Sequence, residues 1–149
     1  MAKVLVKKIA SSVKLPVYKT NGASGMDVMA FISDPIILKP QSSCMVPTGI
    51  SVAFSKEFEI QIRPRSGLAA KNNISVLNTP GTIDSDYRGE IKVILFNHGN
   101  KDFVINNNDR IAQMILMPVV KIELEETESL PETIRGEGGF GSTGKWAQN

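Results

Sequence analysis

A glycine-rich segment near the end of the chain, RGEGGFGSTG, carries groups that suit an anion. Glycines allow backbone N–H groups to converge on an oxyanion at close range, and hydroxyl and guanidinium groups add further donors. Arg135, Gly141, Ser142 and Thr143 could bind an anion in this way, and the ring of Phe140 could cover a base. Composition alone favours a disordered tail. An arginine and a phenylalanine set among the glycines favour a lid that orders over a nucleotide.

The spacing of this segment partly matches a phosphate-binding P-loop, from Gly139 through Gly144 to Lys145. A P-loop also needs a preceding strand, a serine or threonine after the lysine, and a helix whose N-terminus faces the phosphate. Trp146 follows the lysine instead. We therefore exclude a P-loop NTPase.

A second candidate anion site lies in RPRSGLAAKN, where two arginines and a serine precede a predicted helix start. Arg65, Ser66 and the amide of Gly67 would then lie at a helix N-terminus, which favours phosphate. Alternatively, Ser66 simply caps the helix. The two roles are compatible, because a cap is also a ready anion site.

A third stretch, NTPGTIDSDYRG, places Asp84, Asp86 and Tyr87 at a turn. Acids in turns are usually solvated or bond their own backbone. The spacing of these acids alone therefore does not indicate catalysis.

Short apolar segments, separated by glycine, proline and asparagine, must position these groups. In FEIQIR, Phe58, Ile60 and Ile62 alternate with polar residues, which is the period of a half-buried strand. Similar segments are VLVKKI, IILKP, CMVPT, ISVAF, IKVILF and DFVIN, and only GLAAKN predicts a short helix. Many short strands at this spacing predict an all-β antiparallel sandwich or barrel.

The segment RIAQMILMPVV is apolar at nearly every position. Such a run is typical of a strand covered on both faces or of one at a subunit interface. For a chain this small we favour the interface. The next segment, KIELEETESLPE, carries five glutamates and predicts a solvated connector.

The composition bounds the class of protein. With 149 residues the chain is long enough for one domain with its own core. Its formal charge of +2, from 17 basic and 15 acidic residues, argues against a nucleic-acid partner. The single cysteine, Cys44, lies in an apolar run and predicts a buried, inert thiol in a reducing compartment. No apolar run approaches the roughly 20 residues of a membrane helix. We expect a cytoplasmic protein that binds neither nucleic acid nor a membrane.

Five segments taken together resemble the trimeric deoxyuridine triphosphate nucleotidohydrolases, the dUTPases. In the family's order they are SGMDVMA, PRSGLAAK, NTPGTIDSDYRGEI, DRIAQMIL and RGEGGFGSTG, and they run from Ser24 to Gly144. The resemblance implies a jelly-roll-like β-barrel that forms a homotrimer, with active sites between subunits. It divides the chain into a barrel core, residues 1–132, and a flexible C-terminal lid, residues 133–149, that crosses over to close a site.

The activity that this resemblance implies is hydrolysis of dUTP to dUMP and pyrophosphate, using Mg²⁺ bound to the triphosphate. Such an enzyme supplies dUMP for thymidylate synthesis and keeps uracil out of DNA.

The resemblance also implies roles for individual residues. Asp84 matches the general base that takes a proton from the water attacking the α-phosphorus. Tyr87 matches the ring that packs on the deoxyribose and excludes a 2′-hydroxyl, while Asn78 and its turn match the uracil pocket. Asp27 matches an acid that we place in the outer coordination shell of Mg²⁺. The residues that match phosphate or lid contacts are Arg65, Ser66, Gly67, Gln113, Arg135, Phe140, Gly141, Ser142 and Thr143.

Two rival interpretations stay open. The dCTP deaminases share this fold, but their active-site segment typically carries a serine where this chain has Gly67, and we place no counterpart of their catalytic glutamate. A non-catalytic trimeric module that binds nucleotides or proteins is the second rival. The presence of Asp84 argues against it.

Overall fold

A computed structural model describes residues 2–139, which form eleven strands and one short helix. The elements are β1 (Leu5–Lys8), β2 (Met26–Met29), β3 (Ile36–Leu38), β4 (Ser43–Pro47), β5 (Ile50–Ala53), β6 (Phe58–Arg63), α1 (Ser66–Asn72), β7 (Ile74–Val76), β8 (Gly81–Ile83), β9 (Lys92–Asn97), β10 (Phe103–Ile105) and β11 (Arg110–Pro118). Every pairing among these strands is antiparallel. The predicted class is therefore confirmed: the described chain is nearly all β.

The strands form four small sheets in the order β2-β11-β6-β8, β4-β9-β7, β1-β5 and β10-β3. Across residues 2–139 these ladders stay separate and do not close into one continuous hydrogen-bonded barrel. An aliphatic core holds them together, with fully buried side chains that include Leu38, Val46, Ile60, Leu95 and Ile105. Each such side chain contributes about 1.5–3 kcal/mol through its burial.

Strand β6 shows how the sequence pattern becomes structure. Ile60 and Ile62 are buried, and the intervening Gln61 is only partly so. Because successive side chains on a strand point to opposite faces, this alternation puts one face of β6 into the core. The strand predicted over FEIQIR is confirmed with the same bounds.

The burial of strand β11 contradicts the subunit interface that we predicted for its apolar run. Ile111, Ala112, Met114 and Ile115 are buried by this chain itself. The edges of β11 are paired with β2 and β6 in the largest sheet, and buried side chains lie on both of its faces. The prediction that the apolar run reflects a subunit interface is wrong for these four residues, since the fold covers both faces of the strand.

Helix α1 begins without the capping role that was one alternative for Ser66. Its N-cap is Arg65, in an extended conformation at φ −93° and ψ 125°, and makes no side-chain capping hydrogen bond. Ser66 is the first helical residue, so the alternative in which Ser66 caps the helix is wrong. The helix ends at Asn72, and its C-cap, Asn73, lies in the left-handed region at φ 57°, which asparagine tolerates. Over the described range no helix combines the length and apolarity needed to cross a bilayer.

The segment after β11 is solvated. Residues 120–132 are all exposed, which confirms the predicted connector. Three of its apolar side chains, Val120, Ile122 and Leu124, are 88%, 79% and 87% exposed. They alternate with charged residues, as in a half-buried strand.

The thiol of Cys44 is partly buried on β4. This burial raises the pKa of the Cys44 thiol above its usual value. Because the thiolate is the reactive form, a raised pKa lowers the reactivity of the side chain at neutral pH. The observation agrees with the inert thiol that we expected.

Candidate functional site

Two guanidinium groups converge on the carboxylate of Asp27, on β2. Arg65 Nε donates to Oδ1 at 2.9 Å, and Arg110 Nη1 donates to Oδ2 at 2.9 Å. Arg65 Nη1 also donates to the carbonyl of Arg110 at 3.0 Å. Each guanidinium has five N–H donors, so both arginines keep donors for a further anion. Asp27 thus fixes two cations at one edge of the largest sheet.

Strand register explains why these groups meet. Gln113 of β11 lies opposite Asp27 on one side and opposite Arg63 of β6 on the other. Gln113 Nε2 donates to the carbonyl of Pro64 at 2.9 Å. That bond holds the turn that leads from β6 to Arg65. The side-chain amide of Gln113 therefore supports the position of the arginine.

The start of α1 faces open space. Ser66 and Gly67 are both exposed, and a Cβ built on Gly67 would meet no described atom within 4 Å. The first amides of a helix lack intrahelical acceptors. The position of Arg65 directly before them adds a cation to this exposed helix start.

A cleft of about 440 Å³ lies beside the turn after β8. Its walls include Asp84, Tyr87 and Lys92, together with the apolar side chains of Met45, Ile83 and Ile94. The Asp84 side chain is exposed, and Tyr87 is 44% exposed. A carboxylate and an aromatic ring therefore share the wall of one cleft.

The ring of Tyr87 is held by its own loop. Its backbone N–H donates to the carbonyl of Asp84 at 3.1 Å, and its hydroxyl donates to the carbonyl of Glu90 at 3.0 Å. A Cβ built on Gly89 would overlap the hydroxyl and ring of Tyr87. A glycine is therefore needed at this position for the ring to lie over the main chain.

Asn78 lies before β8, whereas Asp84 follows that strand. Asn78 is exposed, and its Nδ2 would lie 3.3 Å from a Cβ on Gly81, the first residue of β8. In the described chain β8 pairs with β6 alone, so β8 forms an edge of its sheet. An edge strand presents N–H and C=O groups that are free to pair with another partner.

The two groups of residues lie apart within one chain. Ile62 of β6 pairs with Gly81 of β8 in an antiparallel ladder. Arg65 lies three residues beyond Ile62, and Asp84 lies three residues beyond Gly81 in the opposite direction. Six positions of extended chain would span at most about 20 Å, and both residues lie just beyond their strands. The structure thus unites Asp27, Arg65 and Gln113, but leaves Asp84 and Tyr87 at the other end of the ladder.

The predicted lid falls largely outside the described residues. Phe140, Gly141, Ser142 and Thr143 lie beyond residue 139. Arg135 is exposed, and its Nε donates to the carbonyl of Gly138 at 2.7 Å. This contact lies within the terminal segment itself.

The fit of a magnesium ion depends on which oxygens remain available. Within residues 2–139 there is no group of three or more His, Cys, Asp or Glu side chains that could hold a metal ion. Both oxygens of Asp27 already accept hydrogen bonds from arginines. The described residues of one chain therefore do not fit an ion held directly by their side chains. Mg²⁺ usually keeps several waters and binds substrate phosphates, so an ion carried by a triphosphate is compatible with this donor set.

Two further basic residues, which we did not predict, belong to these groups: Arg110 contacts Asp27, and Lys92 lines the cleft. Arg110 lies within the segment DRIAQMIL, and Lys92 follows YRGEI closely. Both were therefore near recognised segments. Nothing local in the sequence reveals that Arg110 reaches a carboxylate 83 residues away.

Solved structures share the fold. The dUTPase of Staphylococcus bacteriophage 80alpha, solved with dUPNHPP, matches with a TM-score of 0.86 and 22% identity, covering 96% of this chain and 99% of that one. A variant dUTPase of S. aureus phage phi11, which coordinates a structural Mg(II) ion, matches with a TM-score of 0.77 and 18% identity, covering 85% and 97%. At these identities the likeness establishes the fold.

Sequence comparisons establish the family. The deoxyuridine 5'-triphosphate nucleotidohydrolase of Fusobacterium nucleatum is 53% identical over 97% of this chain and 100% of its own length. The protein of the same name from Treponema denticola is 53% identical over 92% of this chain and 95% of its own length. A family model for dUTPase matches residues 11–144. The chain belongs to the dUTPase family.

Proposed function

We propose that this protein hydrolyses dUTP to dUMP and pyrophosphate. The observation that carries the proposal is the family match over residues 11–144, which spans the arginine cluster, the cleft and most of the terminal segment. Relatives that are 53% identical over nearly their whole length are named for this activity. In a cell the reaction would supply dUMP for thymidylate synthesis and keep uracil out of DNA. The cytoplasmic location stays a prediction.

Asp84 is the proposed general base. Its carboxylate is exposed and lines the cleft beside Tyr87, so a water molecule can reach it. The carboxylate takes a proton from this water as the water oxygen attacks the α-phosphorus. The bond from the α-phosphorus to the bridging oxygen then breaks, and pyrophosphate leaves with that electron pair. General-base catalysis of this kind contributes about 10²–10⁴-fold to a rate.

Arg65 and Ser66 are the proposed phosphate contacts, together with the amide of Gly67. Asp27 and Gln113 hold this set in place through the guanidinium of Arg65 and the turn at Pro64. Preorganised donors stabilise charge that develops in a transition state. A magnesium ion bound to the triphosphate would neutralise further phosphate charge.

The edge of β8 and the ring of Tyr87 are the proposed determinants of substrate choice. Free backbone groups on the outer edge of β8 suit the acceptor–donor–acceptor edge of uracil, with the amide of Asn78 beside the strand. A cytosine would leave buried polar groups unpaired, which is a strong penalty. The ring of Tyr87 would pack on the deoxyribose and leave no room for a 2′-hydroxyl.

The proposed assembly is a homotrimer whose active sites lie between subunits. Arg65 and Asp84 follow opposite ends of the antiparallel β6–β8 ladder, which supports a site shared by two copies. Exposed apolar side chains, including Ile37 at 59% and Leu77 at 51%, support additional contacts between copies. The alternating Val120, Ile122 and Leu124 support a terminal segment that crosses to another copy before residues 133–149 close a site.

Product analysis across four nucleotides tests the proposed activity. Pyrophosphate release is measured with dUTP, dTTP, dCTP and UTP, and ammonia release is followed separately with dCTP. We expect pyrophosphate from dUTP in large excess over the other three. Ammonia from dCTP would instead identify a deaminase, and no turnover of any nucleotide would favour a binding module.

A further inference from the structure

Glu90 connects the cleft to the body of the fold. Its Oε1 accepts a hydrogen bond from the backbone N–H of Gly49 at 2.8 Å, across 41 residues of sequence. Gly49 lies in the turn between β4 and β5, is buried, and has a φ of +73°. A Cβ at Gly49 would lie 2.7 Å from the Val13 side chain. The donor of this bond therefore belongs to a tightly packed part of the chain.

The other polar contacts of the loop over residues 84–90 are internal. Tyr87 binds the carbonyls of Asp84 and Glu90, and Arg88 Nη1 donates to the carbonyls of Ser85 at 2.7 Å and Tyr87 at 3.0 Å. These bonds shape the loop without attaching it to another element. Directly after the loop, Ile91 is held by its own backbone, since its N–H donates to the carbonyl of Ile50 at 2.8 Å and its carbonyl accepts the Thr48 hydroxyl at 2.6 Å. Among the side chains of the described loop, Glu90 adds the hydrogen bond to this same distant segment. Bonds between an amide and a carboxylate are charge-assisted and stronger than neutral ones.

We infer that Glu90 is a positioning residue for Tyr87 and thereby for discrimination between deoxyribose and ribose. Its carboxylate fastens the loop to the β4–β5 turn, while its carbonyl accepts the Tyr87 hydroxyl at 3.0 Å. Glu90 thus makes both contacts next to the anchored Ile91, and loss of its carboxylate bond should loosen the support for the ring. The inference rests on the proposed function, in which that ring packs on the sugar.

Glu90 also lines the cleft, so its charge is a second way in which it could affect catalysis. Two substitutions distinguish this direct role from the positioning of Tyr87. Glu90→Ala removes the acceptor for the Gly49 amide. Glu90→Gln keeps a carbonyl oxygen that can accept this bond but removes the charge. If Glu90 positions Tyr87, the glutamine restores most of what the alanine loses. If its charge acts on substrate directly, the two variants are equally impaired.

The main measurement is kcat/KM for dUTP and for UTP. We expect Glu90→Ala to lower the ratio of these constants by about three- to tenfold, since losing one charged hydrogen bond has effects of this order or larger. Glu90→Gln should stay within about twofold of the unsubstituted protein. In a Tyr87→Ala background Glu90→Ala should change the ratio no further, because the ring through which it acts is gone.

Asn107→Ala is the matched control. Its Oδ1 accepts a hydrogen bond from the Ile32 N–H at 3.2 Å and so joins two distant segments in the same manner. Asn107 lies outside the proposed site. We expect it to leave the dUTP to UTP ratio unchanged.

Hydrogen exchange gives a readout that does not depend on turnover. Glu90→Ala should speed amide exchange at Gly49 and over residues 84–90, whereas Asn107→Ala should not. An unchanged ratio in Glu90→Ala would overturn the inference, as would a further loss in the Tyr87→Ala background. If the unsubstituted protein hydrolysed neither dUTP nor UTP, the proposed function would fail, and the exchange data would still report whether Glu90 fastens the loop.

Discussion

Two carboxylates of this protein differ in what surrounds them, and this difference separates their proposed roles. Asp27 is 18% exposed, and both of its oxygens accept arginine N–H groups at 2.9 Å. Asp84 is exposed, and no basic nitrogen within residues 2–139 lies within salt-bridge distance of it. Asp27 is therefore occupied as an anchor for cations. Asp84 keeps its oxygens available for a proton from water.

The assignment of Asp84 predicts that Asp84→Asn lowers turnover by at least about 100-fold, because the amide cannot take the proton. Binding of a non-hydrolysable dUTP analogue should persist. Pyrophosphate release and equilibrium titration measure the two effects. Asp86→Asn, an exposed acid in the same turn, is the control and should retain activity. A fully active Asp84→Asn variant would refute the assignment.

The assignment of Asp27 predicts that Asp27→Ala destabilises the fold by about 1–3 kcal/mol, because Arg65 loses a charged hydrogen bond in a partly buried site. Arg110→Ala should cost less, about 0–1 kcal/mol, since its side chain is 48% exposed. Urea unfolding monitored by circular dichroism measures both. We also expect a higher KM for dUTP in Asp27→Ala. Equal losses of stability in the two variants would contradict this ranking.

At the scale of elements, the fold positions the site through strand register and turns. The pairing of β11 with β2 and β6 brings Gln113 between Asp27 and Arg63. The turn from β6 to α1 presents Arg65 and the helix start, while the loop after β8 presents the cleft. The exposed connector over residues 120–132 contributes nothing buried to the core.

This exposure predicts the effect of removing the terminal segment. Truncation after Glu132 removes residues 133–149. It should leave the melting temperature nearly unchanged, because residues 133–137 are exposed and the connector before them adds nothing to the core. If the segment is a lid, hydrolysis of dUTP should fall by at least about 100-fold, since closure excludes water and aligns the phosphates. Calorimetry and pyrophosphate release measure the two quantities.

Truncation after Gly144 is the control for that experiment. It removes five residues but keeps the whole of RGEGGFGSTG, so most activity should remain. Full activity after truncation at Glu132 would show that the segment is an appendage.

At the scale of the whole molecule, the two groups of proposed site residues lie apart in one chain. Asp84 and Tyr87 lie at one end of the β6–β8 ladder, and Arg65 and Ser66 lie beyond the other. In the proposed function, a nucleotide contacts Asp84 of one copy and Arg65 of another. A ring of identical copies can supply this arrangement three times, because each interface joins unlike surfaces and the rotation closes.

Shared sites predict complementation between inactive variants. Asp84→Asn and Arg65→Ala should each be nearly inactive alone. Co-expressed in equal amounts, they should form mixed trimers with about one-quarter of the unsubstituted activity, since three-quarters of random trimers are mixed and each has one intact site of three. Native mass spectrometry counts the mixed species. Confirmed mixed trimers without recovered activity would exclude a site built from these two residues on different copies.

The sequence by itself determined the features that depend on neighbouring residues. The alternation in FEIQIR predicted β6 with its observed bounds, and the breakers between short apolar runs predicted a nearly all-β fold. The segments containing Asp84, Arg65 and Arg135 indicated the family. Such features follow from the period of two in a pleated strand and from local turn chemistry.

The tertiary structure alone decided which distant residues meet. It placed Arg110 on Asp27 and joined Glu90 to Gly49. It also buried Ile111 and Met114 within the chain, although we had favoured a subunit interface for their apolar run. The physical reason is that such contacts depend on the register and order of strands far apart in sequence, and no local period encodes either.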